Sequence, residues 1–248
     1  MRTLLVIGIG PGDPEQITIQ AVNALNRLDA VFVLDKRMDR QSGLRAEVCR
    51  RYITGPYRLV ELADPDRDRT AERYADAVAD WHERRAEVLE QAILAELADG
   101  QTGGLLVWGD SSLYDSTIRV VQRILARGAV DLDWSVVPGV TSVSALAARH
   151  RTTLNEIGGP VTLTTGRRLA ADPTVTDGGV VVMLDGDLAC RAIDDPAVHI
   201  WWGANLGTGD EELRSGPVTE VADDIAAARA ALRERAGWVM DTYLLRRQ

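Results

Sequence analysis

Three short glycine-bearing segments hold the residues best suited to chemistry: Gly8-Ile9-Gly10-Pro11-Gly12-Asp13-Pro14, then Gly109 to Thr117 (GDSSLYDST), then Pro138 to Ser142 (PGVTS). Each follows an apolar run that reads as a buried strand. Glycine there lets the chain turn sharply and lets a ligand approach bare backbone. None carries the lysine of a phosphate cradle. Asp110, Tyr114 and Asp115 fall at the carboxyl end of a strand, where open α/β sheets place their ligands. A carboxylate beside backbone dipoles suits a cationic sulfonium better than a phosphate. The second and third segments also have a plain structural reading: Asp115 or Ser116 as a helix N-cap, and Thr141 and Ser142 as caps of the helix that follows.

Taken alone, the first segment has a rival reading as a nicotinamide-dinucleotide loop, with Asp35 lying 23 residues beyond Gly12 as the ribose acid. Two details oppose it. The G-x-G-x-G spacing lacks the final glycine that permits close helix–strand packing. Pro11 has no N–H to offer, and Asp13 would repel a pyrophosphate.

The elements that must position these loops follow from apolar periodicity. Thr3 to Ile9, Ala30 to Leu34, Gly103 to Trp108 and Trp134 to Val137 read as buried strands. Helical patterns cover Pro14 to Leu28, Thr70 to Ala98, the stretch from the second loop to Ala126, and Thr141 to His150. Strand and helix alternating in this way predict a parallel α/β sheet. Past Pro138 the character changes. Val161 to Thr165, Gly179 to Leu184, His199 to Trp202 and Gly237 to Leu245 read as strands, with a late helix at Val218 to Arg235. The expectation is two α/β domains, 1–137 and 138–248, the second with a mixed sheet. The Ala/Arg-rich run Ala226 to Ala236 reads as a helix surface.

The 248 residues carry 28 Lys and Arg against 37 Asp and Glu, a net charge of −9. That balance disfavours nucleic acid as a partner, while local cations suffice for an anionic small molecule. No run approaches the ~20 apolar residues that span a bilayer, and the amino-terminal apolar run is too short for a signal peptide. A cytoplasmic protein with no membrane partner is expected. Cys49 and Cys190 read as buried free thiols. His82, His150 and His199 have no paired spacing, so no metal is expected.

The ordered set GIGPGDP, GDSSLYDST, PGVTS and a strand ending at Met183 resembles the tetrapyrrole (corrin/porphyrin) methylase family, over essentially the whole chain. LDK at 34–36, DPDRDR at 64–69, TTGRRL at 164–169 and GWVMDTYLLRR at 237–247 are similar to its deacetylating branch. Two departures stand out. Ser111 replaces the proline usual after Gly-Asp, and Met240-Asp241-Thr242 replaces the small-residue ending of the wider family's last strand.

The resemblance implies S-adenosyl-L-methionine as methyl donor, bound between two domains. It also implies a small-molecule tetrapyrrole substrate and a homodimer. The activity implied is cobalamin biosynthesis: precorrin-5 is methylated at ring carbon 1 and acetate leaves, giving precorrin-6A. Carried over residue by residue, the donor contacts fall on Pro11, Gly109, Asp110, Leu113, Thr141, Ser142 and Met183. Gly203 and Ala204 compete for one further contact. Gly10 and Arg167 are the substrate-binding candidates. Deacetylation calls for a general base and an oxyanion donor. Asp35, Tyr114 and Asp115 are the catalytic choices, with Lys36 and His150 also near the expected cleft. Rival functions are a sister precorrin C-methyltransferase without deacetylation, a nicotinamide-dependent oxidoreductase, and a silent carrier of a corrin intermediate.

Overall fold

The structure, a computed structural model, describes residues 1–35, 40–66, 68, 73–175 and 178–248. The chain folds as two compact units, Met1–Val140 and Thr141–Gln248. The division falls three residues beyond 137 because the Pro138–Val140 turn is hydrogen-bonded back into the first unit, Gly139 N–H donating to Asp110.

In the first unit, β1 (Arg2–Gly8) leads through a single 3₁₀ turn at Pro14–Gln16 into α1 (Ile19–Leu25) and β2 (Ala30–Asp35). The helix expected over Pro14 to Leu28 is thus split. Asp13 caps the 3₁₀ turn through Glu15 N–H (2.8 Å), and Thr18 restarts the chain as N-cap of α1 through Ala21 N–H (3.0 Å). Next come α2 (Arg40–Tyr52) and β3 (Arg58–Ala63), neither legible from periodicity. α3 (Tyr74–Glu96), β4 (Thr102–Val107), α4 (Thr117–Arg127) and β5 (Leu132–Val137) complete the unit.

The strands form a parallel sheet in the order β3-β2-β4-β1-β5. Strand alternation sends Leu4, Val6, Leu105 and Val107 into a core with α3 and α4, and Leu5, Ile7 and Leu106 into a core with α1 and α2. After β1 the chain crosses one face of the sheet to β2. After β4 it crosses the other face to β5. The carboxyl ends of β4 and β1 therefore flank the point where the winding reverses, the place where such sheets bind ligands.

The second unit runs α5 (Ser142–His150), β6 (Val161–Thr165), α6 (Gly166–Ala171), β7 (Gly179–Met183), β8 (Val198–Ala204), β9 (Glu212–Pro217), α7 (Val218–Ala236) and β10 (Asp241–Arg247). Its mixed sheet has the order β6-β7-β10-β8-β9, with only β6 and β7 parallel. β9 and the short α6 add to the elements expected from the sequence. α7 packs Val218, Ile225 and Leu232 against Val182, Trp202 and Tyr243. The opposite face carries α5, whose Leu146 lies over Gly203.

α7 corrects one expectation. Arg229 lies within the stretch read as helix surface, yet it is buried. Its Nε donates to Asp241 (3.0 Å), and its two terminal nitrogens donate to the carbonyls of Gly186 and Asp185 (both 3.0 Å). The alanines around it let the guanidinium approach the sheet, so a composition typical of an exposed helix conceals a buried ion pair. Both cysteines are buried and unpaired with each other. Among the described residues no helix is long and apolar enough to cross a membrane.

Candidate functional site

The three glycine turns of the first unit converge at the reversal point. Gly10 and Gly109 form a two-way backbone bridge, Gly109 N–H to Gly10 carbonyl at 2.9 Å and Gly10 N–H to Gly109 carbonyl at 3.3 Å. Both lie at positive φ, +84° and +69°, which glycine adopts without the Cβ penalty. The third turn closes on the first two. A Cβ on Gly139 would stand 2.1 Å from the Gly109 carbonyl oxygen, and one on Gly8 would stand 2.6 Å from Gly139 N. These clashes are with backbone, which cannot swing aside. Bare backbone is therefore a requirement of the packing here.

Asp110 is the fastener. One carboxylate oxygen accepts Gly139 N–H (2.8 Å), and the other accepts Ser112 N–H (2.8 Å) and the Ser112 hydroxyl. Burial alone would raise its pKa, but the donors from Ser112 and Gly139 prevail and hold it below the usual carboxylate range. Pro11 is buried, and its carbonyl accepts the Trp108 indole N–H. Leu113 is half-buried beside Tyr114, which is 44% exposed with φ +51°. A tyrosine held in the left-handed region costs of order 1 kcal/mol, and such strain concentrates at functional loops. Asp115 accepts Thr117 N–H (2.7 Å), so one of its oxygens is committed to starting α4. Asp35 ends β2 opposite Ala63; its side chain, like Lys36, lies outside the described residues.

The second unit gathers its candidates along one edge of the mixed sheet. Met183 pairs with Thr242, and Thr242 with Gly203, giving a row across β7, β10 and β8. Above it, Ser142 Oγ lies 3.1 Å from Thr242 Oγ1. Thr141 Oγ1 accepts Ser144 N–H (3.0 Å) and caps α5. Register separates the two neighbours on β8. Gly203 shares the α5 face with Thr242 and Met183, whereas the Ala204 side chain turns into the α7 core. His150 donates its Nε2–H to the Trp202 carbonyl (2.9 Å), and burial pushes its pKa down. Arg167 is exposed on α6.

Sequence reasoning missed three features. Thr242 is the hydroxyl partner of Ser142. Asp241 beside it is buried, accepting from Trp202 Nε1 (3.1 Å) and Arg229 Nε (3.0 Å); burial pushes its carboxyl up while Arg229 opposes. Asn205, just past β8, is 3% exposed with φ +48°. The available signal was the polar pair Asp241-Thr242 opening an apolar strand, and Asn205 among glycines at a strand end.

Comparison with known proteins identifies the family. The model of the Tetrapyrrole (Corrin/Porphyrin) Methylases matches residues 3–222. The chain belongs to the tetrapyrrole methylase family. It is 47% identical over 250 aligned residues, covering 100% of this chain and 96% of the relative, to the Precorrin-6A synthase [deacetylating] of a Sinorhizobium species. Among solved structures, a cobalamin synthesis related protein of Corynebacterium diphtheriae superposes with TM-score 0.84 at 37% identity, covering 100% of this chain and 99% of that one. The uroporphyrin-III C-methyltransferase of Thermus thermophilus, solved with S-adenosylhomocysteine, shares the fold at TM-score 0.62 and 20% identity, over 98% and 91% of the two chains. As a tetrapyrrole methylase the chain is a methyltransferase, and its two-unit α/β architecture is the family's.

Proposed function

We propose that this methylase is an S-adenosyl-L-methionine-dependent C-methyltransferase of cobalamin biosynthesis, converting precorrin-5 to precorrin-6A with methylation at ring carbon 1 and release of acetate. The observation that carries the reading is the 47% identity to the deacetylating precorrin-6A synthase, which runs end to end instead of through the glycine turns alone. The residues present fit an adenosyl sulfonium. Gly8, Gly109 and Gly139 leave bare backbone at the reversal point, and the Ser142–Thr242 hydroxyl pair lies beside Met183 and Gly203. When bound, the donor supplies an electrophilic methyl to a carbon nucleophile.

The chain's own task is alignment and charge placement. Asp110, locked by Gly139 and Ser112, keeps the second and third turns in register while remaining anionic. The donor contacts proposed in the first unit are Pro11, Gly109 and Leu113, and those proposed in the second are Thr141, Ser142, Met183 and Gly203 or Ala204. Gly10 in the first unit and the exposed Arg167 in the second are the proposed substrate contacts, since a guanidinium can hold the carboxylates of a tetrapyrrole bidentately. For deacetylation, water adds to the acetyl carbonyl, the carbon–carbon bond breaks toward the ring, and the ring carbon takes up a proton. Tyr114, exposed and poised on its strained loop, is the oxyanion donor. Asp35 serves as base in preference to Asp115, one of whose oxygens is engaged by Thr117 N–H.

A homodimer fits the exposed edge strand β6, where Val161 and Leu163 face solvent near Ile157. The protein works in the cytoplasm. A nicotinamide dinucleotide finds no comparable support, because Asp13 caps the first turn where a pyrophosphate would lie.

The test is turnover of precorrin-5 with S-adenosyl-L-methionine, read by mass and by acetate release. One methyl gained with a two-carbon fragment lost is the expected product. Methyl gain with the acetyl retained assigns a sister reaction, and binding of S-adenosylhomocysteine without turnover assigns a carrier.

A further inference from the structure

Asn205 follows directly on β8, two residues past Gly203 in the row where Met183, Thr242 and Gly203 line up. Nearly every polar group it owns is engaged. Its N–H donates to the Met240 carbonyl (2.8 Å), and its carbonyl accepts Thr208 N–H (3.1 Å) and the Thr208 hydroxyl (2.8 Å). Its side-chain Oδ1 accepts Met240 N–H (3.0 Å). The exception is Nδ2, which is buried and has no hydrogen-bond partner.

Two facts make that orphan informative. First, the carboxamide cannot be turned round to relieve it. Met240 N–H must meet an oxygen, so the flipped amide would set donor against donor. Second, buried donors in folded proteins are almost always satisfied, and one left unmade carries its full desolvation cost. The anchoring of Met240 and the left-handed backbone account for an oxygen at this position. Neither accounts for a buried amide nitrogen with no acceptor.

Resting on the methyltransferase reading above, we propose that Asn205 is a ligand-binding residue: its Nδ2 donates a hydrogen bond to an acceptor atom of the bound adenosyl ligand, while Oδ1 fixes the entry of β10 through Met240. One side chain thereby ties donor binding to the placement of Asp241 and Thr242, the next two residues along. The ligand chemistry required is an acceptor at a buried position, which a purine ring nitrogen or an amino-acid carboxylate supplies.

The test uses S-adenosylhomocysteine as probe on the full chain. Asn205→Asp keeps an oxygen for Met240 N–H and removes the donor. By titration calorimetry it should weaken S-adenosylhomocysteine binding at least tenfold, with Asn205→Gly, which tolerates the positive φ, weakened as much. A nuclear magnetic resonance measurement on the unmutated protein stands even if the variants fail to fold. The chain has only four asparagines, so selective ¹⁵N-asparagine labelling resolves their side-chain amides. Saturation with the probe should shift the Asn205 amide pair and slow its hydrogen exchange. An Asn205 amide unmoved at saturation, or Asn205→Asp binding within twofold of the parent, overturns the inference and leaves Nδ2 to a buried water. Failure of the unmutated protein to bind the probe at all would instead overturn the methyltransferase reading on which the inference rests.

Discussion

The two units solve the same problem, presenting polar groups at one end of a sheet, by opposite means. The first does it with backbone. Three parallel strand ends meet through Gly8, Gly10, Gly109 and Gly139, and Asp110 is the chief side chain engaged. The second does it with side chains. Ser142 meets Thr242, Asn205 holds Met240, and a buried Arg229–Asp241–Trp202 cluster lies beneath them. A parallel sheet has its winding reversal as a ready concavity, which needs only the absence of Cβ atoms. A largely antiparallel sheet has no such crevice, so the polar groups at its end are hydroxyls and amides backed by a buried charge pair.

If that contrast is real, the units should break differently. The largest effect is expected in the second. Arg229→Met strands a buried Asp241 carboxylate, and denaturant unfolding should register a loss of about 3–5 kcal/mol. Replacing both, as Arg229→Met with Asp241→Leu, should recover much of it. A double variant as unstable as the single would show that the pair is not acting as a unit.

Next comes the first unit, where one added methyl suffices. Gly139→Ala drives a Cβ into the Gly109 carbonyl and should cost about 2–3 kcal/mol by overpacking, with binding of S-adenosylhomocysteine lost. Gly100→Ala makes the comparison sharp. A Cβ there meets nothing, though its φ of +84° also requires glycine, so it should cost about 1 kcal/mol and leave ligand affinity intact. Equal effects on binding would mean that general loss of stability, and not close approach at Gly139, weakens the ligand's binding.

A smaller effect attaches to Thr242→Val, which keeps shape and removes the Ser142 partner. About 1 kcal/mol of stability should go, with S-adenosylhomocysteine affinity down severalfold by calorimetry.

The smallest is a pH effect. Burial holds the His150 pKa below its ordinary value of 6.5. The unfolded chain therefore binds a proton first as pH falls, and stability drops from about pH 6.5 downward through the folded-state pKa. His199, lowered first by burial and then by Arg246, contributes with the same sign. His150→Gln should flatten this limb partly, seen as a weaker dependence of Tm on pH below about 6.5.

Legibility in the sequence followed the same division. The glycine turns were readable because a chain reversal after an apolar run leaves a local signature, and the strands feeding them are apolar on both faces. β3 escaped notice because it is an edge strand, its burial alternating weakly between exposed and half-buried residues. β9 was hidden for a similar reason, as its Glu212-Leu213-Arg214-Ser215 resembles a polar loop. At the site, Gly139 and Asp110 could be proposed from spacing, but their contact could not, since 29 residues separate them. Arg229 and Asp241 were illegible for a deeper reason. This ion pair joins a charge on α7 to one on β10, and each looks like surface until its partner is in place.

The strand order of the second unit also bears on how the polypeptide acquires its shape as it leaves the ribosome. β10, which follows β7 and β8 in the chain, lies between them, so both must wait with open ladder edges until Asp241–Arg247 emerges. Residues 1–140 have every strand of their own sheet by Val137 and can settle first. Nascent chains stalled between positions 140 and 240 should therefore hold a folded leading half and a trailing half that depends on chaperones.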